Sequence, residues 1–131
     1  MLTGIGIDVI ETRVVERLLR ELGSKFLDVA LRPSEIANLP PPAGRPMYIA
    51  RVLAAKEAGM KALGLGLGPS TTWRSFAVDD RPGVLSLRWT HPDADRTRFH
   101  LALSRSAGVV IATAWAFSES DDAAGTNGAV P

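Results

Sequence analysis

Cysteine is absent from the 131 residues, which excludes disulfides, a thiolate zinc site and a cysteine nucleophile. Absent too is any excess of one charge, since 15 Lys and Arg stand against 14 Asp and Glu for a formal net charge of +1. That balance argues against nucleic acid or a membrane surface as partner and leaves only local basic patches. No long uncharged apolar run is present, so no membrane-spanning helix is expected, and the first residues lack the basic-then-apolar order of a signal peptide. A cytoplasmic protein is expected. No internal repeat is visible. A chain of this length makes one domain, large enough for a core and small enough to gain from oligomerisation.

The order of elements is mixed. Leu2 to Ile10 reads as a strand, and Thr12 to Leu22 as a helix with Val14, Val15, Leu18, Leu19 and Leu22 at helical spacing, stopped by Gly23. A short helix is predicted to start at Pro33 or Ser34. "LPPPAGRP", Leu39 to Pro46, reads as a loop because prolines do not sit inside helices. The longest helix is predicted over Met47 to Leu63. Strands are predicted over Thr72 to Val78, Val84 to Thr90, Arg98 to Ser104 and Val109 to Phe117, with "DDRPG" turning the first pair into a hairpin. Residues 1–118 form the expected domain, and 119–131 a disordered tail with too little apolar content to pack. The fold class expected is α+β, a long buried helix on a small, mostly antiparallel sheet.

Two stretches carry the chemistry. "GIGIDVIE", Gly4 to Glu11, sets Asp8 in the middle of an apolar strand. A buried, unpaired carboxylate is expensive, so Asp8 needs a backbone turn, a base or a cation. The long helix, "MYIARVLAAKEAGMKALG", is apolar nearly all round, which implies burial on several sides or an oligomer interface. Ala50, Ala54, Ala58 and Ala62 make one small-residue ridge, and the next ridge runs Ile49, Leu53, Glu57, Lys61. Glu57 and Lys61 are either an exposed i, i+4 pair worth a few tenths of a kcal/mol, or a carboxylate aimed at a metal with an ammonium aimed at a phosphate.

"GIGIDVIE", then "AAKEAGMKALG", then "FHLALSRS" before a last strand is similar to the motif order of the 4'-phosphopantetheinyl transferases. Length and spacing resemble the small holo-acyl-carrier-protein synthase type. The resemblance implies transfer of the phosphopantetheine arm of coenzyme A to a serine of an apo acyl or peptidyl carrier protein. It implies Mg²⁺ held by Asp8 and Glu57, with Lys61 on the pyrophosphate. Hard Mg²⁺ commonly binds through one or two carboxylates plus substrate phosphates. The general base is not identified by any residue; water held by the metal or the carboxylates is the expectation. Gly64, with Gly66 and Gly68, matches a glycine-rich turn near the nucleotide, whereas residue by residue a plain helix stop serves equally well. His100 and Ser104 match nucleotide-contacting positions, and Arg105 stands where the family has histidine. Arg13, Arg17 and Arg20 are the expected carrier-binding residues, and a homotrimer with its active site between subunits is implied.

The chain departs from the family pattern at Val52, Val29, Arg32 and Ala102, where arginine, arginine, threonine and serine are usual. Phe26 and Glu35 keep their places in the segment that carries two of these departures. Arg51 adjoins Val52 but is turned about 100° away on a helix. The metal set is therefore retained while the carrier-docking face is rebuilt. Two readings follow: a transferase serving a specialised polyketide or peptide carrier, or a retired family member that binds a nucleotide, a carrier or another protein.

Overall fold

A computed structural model describes residues 1–119; the rest of the expected tail, residues 120–131, lies outside the described residues. Glu119 itself is tied to the domain, its backbone N–H donating to Arg96 O at 2.9 Å and its carboxylate accepting from Arg98 at 2.8 Å.

The chain runs β1 (Leu2–Glu11), α1 (Thr12–Leu22), α2 (Ser24–Ala30), α3 (Pro33–Ala37), α4 (Arg45–Ala62), β2 (Phe76–Arg81), β3 (Val84–Trp89), β4 (Thr97–Ser106) and β5 (Val109–Ser118). Strands β1, β5 and β4 form one sheet in that order, and β2 with β3 forms a second, with every pair antiparallel. The expected α+β architecture holds: α4 lies across the sheet and supplies much of the core, with Ile49, Val52, Leu53, Ala54 and Ala58 buried against Val110, Ala112 and Ala114 of β5 and Phe76 of β2.

Three expectations need correction. Helix α4 begins at Arg45 rather than Met47, with Pro46 in its first turn, where the missing N–H was never going to find an intrahelical acceptor. The strand expected over Thr72 to Val78 starts only at Phe76 and runs through Asp79, Asp80 and Arg81, because those charges find partners: Asp80 takes a two-pronged bond from Arg51 at 2.7 and 2.9 Å, and Asp79 pairs with Arg81. The turn is therefore Pro82–Gly83 alone, with Gly83 at φ 78, as a type II turn requires at its third position. Helix α2 was not expected at all; Gly23 does end α1, at φ 56, but the chain re-enters a helix at once.

The alanine ridge also does something other than what an oligomer interface requires. A Cβ added at Gly4 would lie 1.9 Å from Ala62 O, and one at Gly6 would lie 2.0 Å from Ala58 O. The ridge is thus spent inside the subunit, where β1 lies backbone to backbone on α4. No side chain of any size fits between them. Gly6→Ala should consequently lose about 3 kcal/mol or more, since overpacking against backbone has no rotamer to relieve it; urea unfolding measures this, and a midpoint equal to wild type would refute the close approach.

A buried ion pair completes the frame. Lys56 Nζ donates to Glu35 Oε1 at 2.6 Å and to Ala30 O at 3.0 Å, with both side chains fully shielded from solvent. Glu35 also accepts from the backbone N–H groups of Arg32 and Val78, each at 2.7 Å. Burial holds the Lys56 pKa below its ordinary value, and the carboxylate works against that. Glu35 is therefore a clamp joining α3, α4 and β2, and it offers no surface to a docking partner.

Candidate active site

The period of two along β1 turns Gly6 and Asp8 inward and leaves Ile5, Ile7 and Val9 outside. Because the glycines admit α4 so closely, Asp8 arrives beside the helix at the level of Glu57 and Lys61. Lys61 Nζ donates to Asp8 Oδ1 at 3.0 Å and to Ile7 O at 3.1 Å. The exposed i, i+4 pair does not form: Lys61 turns to β1, and Glu57 Oε1 instead accepts from the Trp73 indole N–H at 3.2 Å.

Two features bear on whether Asp8 and Glu57 could hold a cation. Asp8 Oδ2 is buried and accepts no hydrogen bond from any described residue. The Glu57 pKa is raised, first by burial and then by the charge of Asp8, while the Trp73 bond and the Lys61 charge pull it down; when Glu57 carries a proton, a hydrogen bond to Asp8 adds to the rise. With both groups ionised, neither carboxylate can donate to the other, and two negative charges share a low-dielectric corner. A divalent cation between them would satisfy the orphaned oxygen and cancel the repulsion. Among the described residues no group of three or more His, Asp or Glu side chains gathers, so such an ion would depend on ligands from outside the chain for the rest of its shell.

Two hollows meet at Glu57. One of about 200 Å³ is lined by Glu57, Lys61, Leu65 and Gly66, and opens over the turn after α4. The other, about 290 Å³, lies between β1 and α1, with Val9, Val14, Leu18, Leu53 and Trp73 in its walls. The first offers a cation and backbone to an anion; the second is mostly apolar, with the Glu11 and Glu57 carboxylates among its lining.

The remaining expected residues stand elsewhere. Gly64 takes φ 70 as the chain leaves α4, its N–H donating to Lys61 O at 3.1 Å, so it ends the helix and starts the turn. His100 and Ser104 lie on the outer face of the sheet, paired with Trp115 and Ile111 across the ladder, away from Asp8. Arg105, next along β4, has the inward parity and pairs with Val110, one row beyond that of Asp8, Ala112 and Leu103. One subunit therefore does not bring His100 or Ser104 to the two carboxylates. On α1, Arg13 pairs with Glu11, whereas Arg17 and Arg20 are exposed with no ion partner among the described residues. Val52 is buried in the core, and Arg51 is committed to Asp80. Sequence reasoning missed Trp73, which sits 16 residues beyond Glu57 in a loop segment with no periodicity to mark it.

A strand-borne aspartate thus faces a helical glutamate and lysine, on an α4 laid against an antiparallel sheet. The sequence profile described as the 4'-phosphopantetheinyl transferase superfamily matches residues 4–114. The chain belongs to that superfamily. It is 36% identical over 115 residues to a holo-[acyl-carrier-protein] synthase of Methylobacterium sp. (strain 4-46), covering 79% of this chain and 85% of the relative. It is also 31% identical over 120 residues to the synthase of Koribacter versatilis, covering 86% and 96%. Among solved structures, the Bacillus anthracis synthase in complex with CoA (3',5'-ADP) superposes with a TM-score of 0.76 at 30% identity, covering 91% of this chain and 99% of that one. The Helicobacter pylori synthase in complex with coenzyme A gives 0.75 at 27%, covering 86% and 98%.

Proposed function

We propose that this protein transfers the 4'-phosphopantetheine arm of coenzyme A to a serine of an apo carrier protein, with Mg²⁺ bound by Asp8 and Glu57. The buried, unpartnered Oδ2 of Asp8 beside Glu57 carries this reading. The ion supplies neutralisation of the pyrophosphate charge. The serine hydroxyl attacks the β-phosphorus, the bond to the bridging oxygen breaks, and adenosine 3',5'-bisphosphate leaves. Lys61, at the mouth of the smaller hollow, steadies the charge that grows on the leaving phosphate. The serine proton passes to water held by the two carboxylates.

The trimer reading draws its support from the sheet rather than from the helix. Ile5, Ile7, Val9 and Ile111 remain 53%, 55%, 57% and 41% exposed on one side, a contiguous apolar face of the kind that marks an interface. His100 and Ser104 stand on that same side, so a trimer closed over it carries them to a neighbouring copy, where with Lys61, Gly64 and Arg105 they bound the nucleotide. In this reading residues 1–118 are the working domain and the protein is cytoplasmic; no described helix is long and apolar enough to cross a membrane.

A specialised polyketide or peptide carrier is the preferred substrate in this reading. Exposed Arg17 and Arg20 give α1 a basic face for an acidic carrier, while Val29, 58% exposed, is apolar where the family uses arginine. Charge placement of this sort sets encounter rate and partner choice. Incubating the protein with coenzyme A, Mg²⁺ and apo-carriers, and weighing the carriers intact, tests both claims: the arm should appear on a specialised carrier faster than on a fatty-acid carrier, and chelator should stop it. Arg17→Glu should lower kcat/KM by about tenfold at low salt, with the loss shrinking as salt screens the face. Equal rates on both carriers, or an indifferent Arg17 variant, would count against the specialised reading. The burial of Val52 and the commitment of Arg51 to Asp80 favour a second reading, a repurposed binding subunit, because neither position presents a cation to phosphate. Coenzyme A binding with no mass transferred to any carrier would select it.

A further inference from the structure

We infer that Trp73 is a positioning residue for this site: its indole N–H fixes one oxygen of Glu57 so that the other is presented to the cation. The inference rests on the reading of Glu57 as a metal ligand. The bond from Trp73 Nε1 to Glu57 Oε1 is 3.2 Å long. The indole is itself held by an unusually constrained turn. Residues Trp73–Ser75 form a single 3₁₀ turn, closed at its start by the Thr72 N–H donating to Ser75 Oγ at 3.0 Å and the Ser75 N–H donating to Thr72 O at 3.0 Å. Arg32 Nη1 donates to Arg74 O at 2.6 Å, fastening the turn to the head of α3. The backbone N–H and the hydroxyl of Thr90 both donate to Ser75 O at 2.9 Å, fastening it to the end of β3. Two other elements therefore hold the turn that carries the indole.

Glu57 needs such a holder. It projects from α4 between two hollows, half-buried, with Asp8 repelling it and Lys61 already engaged on β1. Left alone, its carboxylate would swing from Asp8 toward either hollow, and a two-carboxylate site has no third protein ligand to restore the geometry. The indole donor removes that freedom, as an outer partner does when it orients a metal ligand.

Calorimetric titration of magnesium chloride into protein holding coenzyme A, comparing wild type with Trp73→Phe, tests the inference. The phenyl ring deletes the donor and keeps part of the apolar wall. The Mg²⁺ dissociation constant should rise about tenfold or more, and turnover should recover as Mg²⁺ is raised to saturation. A folded Trp73→Phe with wild-type Mg²⁺ affinity overturns the inference, as does a loss of kcat that excess Mg²⁺ does not recover. Should the variant fold poorly, the wild type carries the test through NMR of its indole N–H protons, three in all from three tryptophans. One of them should shift on adding Mg²⁺ with coenzyme A, and nuclear Overhauser contacts to the Glu57 side chain should identify it as that of Trp73; an unmoved Trp73 resonance overturns the inference. Wild-type protein that binds no Mg²⁺ under these conditions defeats the metal reading itself, whereas equal binding by both proteins defeats only the role of Trp73.

Discussion

Glu57→Gln should stop arm transfer, by at least about 100-fold, and at the same time raise the melting temperature of the metal-free protein. Glutamine keeps an oxygen for the Trp73 indole and sheds the charge that Asp8 repels. The sign with pH follows from the raised pKa of Glu57. A group that holds its proton more tightly when folded contributes stability that is fully present below its unfolded value, near 4.5, and is lost as pH climbs through the raised folded value. Wild type and variant should therefore melt alike in acid and diverge toward neutrality, with the variant the more stable. Added Mg²⁺ and coenzyme A should lift the wild type at neutral pH and leave Glu57→Gln unmoved. A variant that turns over normally refutes the assignment of Glu57; one that melts lower at neutral pH refutes the crowding of the two carboxylates.

Glu35→Ala should be the most damaging single change to the fold. It strands the Lys56 ammonium in the core and unpairs the backbone N–H groups of Arg32 and Val78. Removing one partner of a buried ion pair costs about 3–5 kcal/mol, against a total stability of about 5–15 kcal/mol for a domain. Glu35→Gln, which still accepts at one oxygen, should fall between. Replacing the pair with Glu35→Leu and Lys56→Met together removes the stranded charge but not the two orphaned amides, so it should recover only part of the loss. Chemical unfolding of the three proteins gives the ranking. Glu35→Ala with near wild-type stability would mean that the pair is solvated.

The fold was legible where one physical signal dominated. Thr12–Leu22 showed helical spacing and a glycine stop, and it forms α1 to the residue; β5 showed its branched and aromatic run and differs by a single residue. The misreadings came from context. Pro46 breaks helices in their interiors but not in their first turns. Asp79 and Asp80 look like turn residues until Arg51, from a helix distant in sequence, and Arg81 take up their charge. Helix α2 is seven residues long, too short for periodicity to register, and the burial of Phe26 and Ala30 decides it. At the site, the Asp8, Glu57 and Lys61 grouping could be drawn from motif order, but its partners could not. Trp73 reaches Glu57 through a loop, and Glu35, which kept its place in a segment read as a docking face, proved to be the counter-ion of Lys56.

The contact of β1 with α4 at Gly4 and Gly6 sets how the active site is dimensioned. In most domains the separation of two elements is the sum of the side chains between them, so each core substitution resets it slightly. Here the strand rests on the carbonyls of Ala58 and Ala62, and the spacing is that of peptide groups in contact. Peptide groups do not change with sequence. The span from Asp8 to Glu57 is therefore ruled by a part of the molecule that substitution elsewhere in the core leaves alone, as a gauge is set by a hard stop rather than by a spring. Side chains at Val110, Phe76 or Leu31 can drift in size, at the expense of stability, without opening or closing the gap between the two carboxylates.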